Sequence, residues 1–286
     1  MAFGAVAAMT VTGAVLGVER TQEEPAVLVV ATPKATTAVP PPTVVTTTDE
    51  PIPTPAPTTE ATRAKPGGLV EFAEGIDLGV VMRDLHTGED LFAHNADQPF
   101  DSASLVKILI ALDGLTAKRY PPDEVVRMLA TSDDDAASRM WSDAGGSRIV
   151  AMWAKRVGMT GTTPPEDPNR WGDTQTTAAD LALLYAYLLE DPVGPVVLEG
   201  LGQMSDFGVD GFDQRFGVPA AAGDRQWAVK QGWACCRNGR ILHSTGLVGP
   251  DNRYVVVVLT GQPATTSVAA ARSKVTQIAA FLLNEH

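Results

Sequence analysis

The order of strand-like and helix-like runs constrains this chain more than any other feature. Early on, "DLGVVMRDL" (77–85), a turn "HTGED" around Gly88 and "LFAH" (91–94) read as a β-hairpin. A helical block follows. It contains "SLVKILIALDGLTAK" (104–118), apolar at helical spacing behind the cap candidates Asp101 and Ser102, then "AASRMWSDA", "SRIVAMWAKRVG" and "TTAADLALLYAYLL", the last capped by Thr176 or Thr177. Three further strand-like runs, "QWAVKQGWACC", "RILHSTGLVG" and "RYVVVVLTGQ", are separated by the turn residues "RNG" and "GPDN", and "TTSVAAARSKVTQIAAFLL" closes the chain as a helix. Two strands, helices, three strands and a helix predict an α+β domain: an antiparallel five-stranded sheet flanked by helices, with an inserted helical subdomain. The natural cleft then lies between the sheet and the insertion.

This domain is expected over 67–286, about 220 residues, enough for a sizeable core. The region before it has a composition no packed core uses. Residues 21–66 become dominated by Thr, Pro, Ala and Val, as in "TTAVPPPTVVTTTDEPIPTPAPTTE", and the prolines forbid regular helix or central strand, so a disordered stalk is expected. Residues 1–20 carry the uncharged "AFGAVAAMTVTGAVLGV" and read as an export signal or N-terminal membrane anchor, although no Lys or Arg precedes it. An exported, cell-envelope protein follows from this pair of features. With no cysteine near the stalk, lipid attachment is not expected.

The formal net charge of −12 argues against a nucleic-acid surface, which needs clustered basic residues. The two cysteines, Cys235 and Cys236, are adjacent, which excludes a disulfide framework and any multi-cysteine metal site; they are read as two ordinary thiols, because a bridge between neighbours distorts the backbone. His86, His94, His243 and His286 have no ligand spacing, so neither metal nor cofactor is expected. A monomer is expected, since nothing points to a large exposed apolar interface.

Ser104 stands three residues before Lys107, one helical turn apart on the same side of a helix start, where unpaired amides favour a developing negative charge. A neighbouring amine can take the hydroxyl proton and make the serine a nucleophile. Alone the spacing is weak, because a serine three before a lysine arises by chance about once in a chain of this size.

Order and context add to it. "GVVMRDLHTGEDLFAHNADQPFDSASLVK", "MLATSDDDAASRMWSDAGG", "GDTQTTAADLALL" and "VKQGW" follow one another as do the corresponding segments of the serine β-lactamase and penicillin-binding protein superfamily, which the chain resembles from Asp77 onward, class A β-lactamases most of all. The resemblance implies Ser104 as the acylated nucleophile, Lys107 as its proton partner, Ser132 as the proton shuttle to the leaving group, and Lys230 as the attractor of a substrate carboxylate. It also implies an oxyanion hole from the amides of Ser104 and Trp233, and a Gly232 that leaves room for substrate along the strand. Glu166, in "TTPPEDPNRWGDT", stands about where a deacylating glutamate would.

Several positions depart from the family. Asp134 replaces the usual asparagine and would raise the pKa of Lys107; Gln231 replaces a hydroxyl residue but could still donate to a carboxylate. Only 28 positions separate Ser104 from Ser132, so the helical subdomain is abridged. Asp173 reads as a loop-closing partner for Arg170, and Trp141, Trp153 and Trp171 read as core. The resemblance thus implies an exported serine acyl-transfer hydrolase acting on β-lactams or the D-Ala-D-Ala ends of peptidoglycan peptides. The departures keep open a degenerate, non-catalytic envelope-binding module of the same fold.

Overall fold

The computed structural model describes residues 74–237 and 239–284. The expected export signal or anchor and the Thr/Pro-rich stalk lie outside the described residues. Among those described, no single helix is long and apolar enough to cross a membrane.

The chain opens with β1 (Asp77–Asp84) and β2 (Glu89–His94), turned by Gly88 at a φ of 75° that suits glycine. A short strand β3 (Phe100–Asp101) leads into a 3-10 turn (Ala103–Val106) and α1 (Lys107–Thr116). Then come α2 (Pro122–Ala130), α3 (Asp134–Asp143) and α4 (Arg148–Val157). A second 3-10 turn (Trp171–Asp173), β4 (Gln175–Thr176), α5 (Ala178–Glu190), α6 (Gly194–Gly202) and the short α7 (Val218–Ala221) complete the insertion. The chain then returns through β5 (Trp227–Ala234), β6 (Arg240–Val248) and β7 (Tyr254–Gln262) and ends on α8 (Val268–Asn284).

The five long strands form one sheet in the order β2-β1-β7-β6-β5, each neighbouring pair antiparallel, so the expected α+β architecture stands. β7 is central, and "YVVVVLTGQ" is nearly all apolar because both of its faces are covered. Its residues alternate as strand geometry requires. Val256 and Val258 pack with Val275, Ile278 and Leu282 of α8, whereas Val255, Val257 and Leu259 join Leu181, Leu184 and Tyr185 of α5 on the other face. That second core runs on into α1, buried almost throughout, from Lys107 to Leu115. The turn that carries Ser104 is therefore anchored to this core.

Two local expectations change. Cys235 and Cys236, just past β5, are joined as a disulfide rather than standing as two thiols. Trp141 and Trp153 are core residues as read, but Trp171 is half-buried at the mouth of a cleft.

Candidate active site

Ser104 lies in the 3-10 turn just ahead of α1, not in the α-helix proper, and Lys107 is the first residue of that helix. Ala103 precedes the serine at a φ of 46°, a left-handed conformation that costs a non-glycine residue about 1–3 kcal/mol. The turn is held in place from several sides. Ser102 N–H donates to the Thr174 carbonyl at 2.7 Å, and His243 Nε2 meets the Asp101 carbonyl at 2.9 Å. His243 is wholly buried and its Nδ1 accepts from Thr260 N–H, so Nε2 carries the proton, and burial pulls its pKa down to about 4.

β5 presses on the same turn. A Cβ on Gly232 would stand 3.0 Å from the Ser102 carbonyl and 3.2 Å from Leu105, so this glycine admits the close approach of strand and nucleophile turn.

Lys107 is fully buried. Its Nζ donates to Ser104 Oγ at 2.7 Å, to Ser132 Oγ at 3.3 Å and to Asp134 Oδ1 at 2.5 Å, which accounts for all three ammonium hydrogens. The Trp171 ring lies against it, 4.4 Å from Nζ to the centroid, and is itself fixed by Nε1–H donation to Ser138 Oγ. Two opposed effects act on its pKa. Burial lowers it and the Asp134 carboxylate raises it, and burial wins, so the lysine titrates below its ordinary value. The outcome has a geometric reason: the Lys107 side chain is 0% exposed while that of Asp134 is 66% exposed, so water screens the carboxylate more than it relieves the amine.

Ser132 follows α2 at a φ of 51°. The N-cap of α3 is Asp133, whose side chain accepts from Ala136 N–H at 2.9 Å. Ser132 Oγ is thereby left to two amines, Lys107 and, at 2.9 Å, Lys230 Nζ. With both lone pairs engaged, its one hydrogen remains to be donated. Lys230 also donates to the Gln231 carbonyl at 3.1 Å. It is 1% exposed and has no ion pair among the described residues; burial and the nearby Lys107 charge hold it well below the usual lysine range.

Other expected residues fall elsewhere. Gln231 Nε2 donates to the carbonyls of Gln214 (2.8 Å) and Phe216 (2.7 Å), so its amide hydrogens are spent on the far face of β5 and not offered to a substrate carboxylate. Glu166 is exposed and lines an adjoining recess of about 380 Å³ with Asp167, Gln175 and Arg237, which shares Asp101 and Asp173 with the cleft at Ser104. The cleft at Ser104, about 350 Å³, is instead bounded by Asp101, Asp134, Trp233 and the 169–173 segment. Trp171, and not Glu166, lines the cleft beside Lys107; nothing in its local sequence signalled this. The Trp233 ring stacks on Phe212 at 4.7 Å, and its Nε1–H donates to Asp210 at 2.9 Å, which fixes the rim of the cleft. Asp173 pairs with Arg170 at 2.7 Å as read, and also with Arg237. No cluster of metal-ligating side chains occurs among the described residues.

A five-stranded antiparallel sheet with inserted helices is the fold of class A β-lactamases and of PBP-A. The TLA-3 extended-spectrum β-lactamase superposes with a TM-score of 0.65 at 10% identity, over 77% of this chain and 97% of that one. PBP-A superposes with a TM-score of 0.60 at 19% identity, over 77% and 94%. Residues 68–119 and 114–285 match the Beta-lactamase enzyme family, and the chain belongs to that family. It is also 38% identical over 231 residues, 76% of this chain and 72% of its relative, to the Mycobacterium tuberculosis protein named "Putative lipoprotein LppW".

Proposed function

We propose that this protein is an exported serine acyl-transfer hydrolase of the penicillin-recognising type, forming an acyl-enzyme on Ser104 with β-lactams or with D-Ala-D-Ala wall peptides. The observation that carries this reading is the contact of Ser104 Oγ with the buried Lys107 at 2.7 Å, an amine whose pKa burial lowers. In its neutral form the lysine accepts the serine proton as Oγ attacks the carbonyl. The proton then passes through Ser132 to the leaving nitrogen, with Lys230 favouring the deprotonated form of Ser132 in transit. The amides of Ser104 and Trp233 stabilise the tetrahedral oxyanion, worth about 3 kcal/mol per donor. The tight packing of Gly232 on the nucleophile turn supports that pairing.

Acylation is better provided for than deacylation. The expected base, Glu166, lines the adjoining recess beyond Asp101 and Asp173 and not the cleft at Ser104, and the Trp171 indole lies against Lys107. A long-lived adduct is thus the expected product, and a solved PBP-A variant is an acyl-enzyme with penicillin G. The lipoprotein name of the mycobacterial relative agrees with an envelope location, though the two cysteines of this chain both lie within its folded part.

A non-catalytic envelope-binding module is the second reading, favoured by Gln231, whose amide serves the fold and not the cleft. Fluorescent penicillin separates the two. Covalent labelling of the wild-type protein and none of Ser104→Ala is expected; equal labelling of both would refute Ser104 as the nucleophile, and no labelling of either would favour the binding module.

A further inference from the structure

Asp134 uses only one of its carboxylate oxygens. Oδ1 accepts from Lys107, and among the described residues no other hydrogen bond reaches this side chain, which is two-thirds exposed and lines the cleft beside Ser104. A single amine separates it from the nucleophile, since Lys107 Nζ touches both. A carboxylate accepts and never donates, whereas an asparagine in the same place would offer two N–H groups. The two residues therefore ask opposite things of a substrate.

Neighbouring donors do not compensate. Arg170 Nε and Nη2 are spent on Asp173, and the Asn169 amide donates to Asp167. The Gln231 amide is turned to the far face of its strand. Asp101 and Asp173 add further acceptors to the cleft wall. Asp134 and Ser104 line the same cleft on either side of one amine, so a group that reaches Asp134 lies close to the carbonyl that Ser104 would attack.

We propose that the outer oxygen of Asp134 selects acyl donors that carry a protonated amine close to the scissile carbonyl. This rests on the acyl-transfer reading above. The amine donates to the free carboxylate oxygen, while an acyl side chain presenting only a carbonyl meets an acceptor and is disfavoured.

Ampicillin and benzylpenicillin differ by one α-amino group on the acyl side chain and provide the test. Second-order acylation rate constants are measured on the full chain at pH 7 for wild type and Asp134→Asn. Wild type is expected to prefer ampicillin by about tenfold, the scale of a charge-assisted hydrogen bond partly exposed to water, and the variant to lose or invert the preference. The ratio cancels changes in Lys107, because the same serine attacks both penicillins. In wild type alone, the preference should also vanish as pH rises past about 8, where an α-amino group loses its proton. Acylation by both compounds at equal rates, or a ratio that neither pH nor the substitution changes, overturns the proposal and leaves the acyl-transfer reading intact. Acylation by neither overturns both.

Discussion

Replacing Asp134 by asparagine tests the balance that sets the chemistry of Lys107. The carboxylate lies 2.5 Å from Nζ and favours the ammonium; burial favours the neutral amine, and the net effect already lowers the pKa. Removing the carboxylate takes away the opposing influence, so the pKa falls further and more of the base is available in acid. Unit charges about 4 Å apart attract by ~1 kcal/mol in water and ~4 kcal/mol at an effective dielectric of 20. The 66% exposure of Asp134 places this pair toward the lower figure. At 1.36 kcal/mol per pH unit, the acid limb of the acylation profile should move down by about one unit. The assay is the second-order acylation rate from pH 5 to 9, followed by a fluorescent penicillin, with thermal unfolding as a control for the fold. Raising the salt concentration should move the wild-type limb in the same direction, by less, and leave the variant alone. A limb that stays in place or moves to higher pH would refute the assignment of Lys107 as the proton acceptor under Asp134 control.

Three other outcomes are expected. Lys230→Met removes a buried amine that has no ion pair among the described residues; it should lower acylation by about 100-fold yet raise the Tm by a few degrees, read by calorimetry. Glu166→Gln should leave the lifetime of the acyl-enzyme unchanged within about twofold, as measured by intact mass over time, because that carboxylate is not among the residues lining the cleft at Ser104. His243 is neutral in the fold, with a pKa of about 4 against 6.5 unfolded, so the unfolded chain binds more protons and stability falls as pH drops through this window. Between pH 7 and pH 5 the loss is about 2 kcal/mol by urea unfolding, and His243→Gln should remove that part of the slope.

Much of the fold was readable where one period dominated. The "VVVVL" run of β7, its "GPDN" turn and the strand and helix order gave the sheet and the insertion. Three helices escaped, α2, α6 and the short α7. α6, "GPVVLEGLG", is rich in glycine, which argues against a helix by propensity; yet a Cβ at Gly200 would stand 3.0 Å from Leu129 and 3.2 Å from the Val126 backbone, so the glycine is what lets α6 lie on α2. α2 itself begins with proline at its first turn followed by Asp123 and Glu124, a start signal visible in hindsight.

The site was legible to different depths. Ser104, Lys107, Ser132 and Lys230 could be found from motif order, and they meet through direct hydrogen bonds. Gln231 was misread although a signal existed: neighbours on a strand face opposite sides, so with Lys230 and Gly232 turned to the nucleophile, Gln231 must turn away. The positions of Trp171 and Glu166 depend on how a proline-rich loop folds across the cleft, and no local pattern encodes that. Nor could spacing settle which effect governs Lys107. It took the contrast between a buried amine and an exposed carboxylate.

The most direct test of the account is intact-mass spectrometry of the full chain after incubation with ampicillin, with proteolytic mapping of any adduct. The account predicts one added penicilloyl group on the peptide bearing Ser104, persistent over hours in wild type and missing from Ser104→Ala. An adduct on another residue, or neither adduct nor β-lactam hydrolysis in wild type, would contradict it.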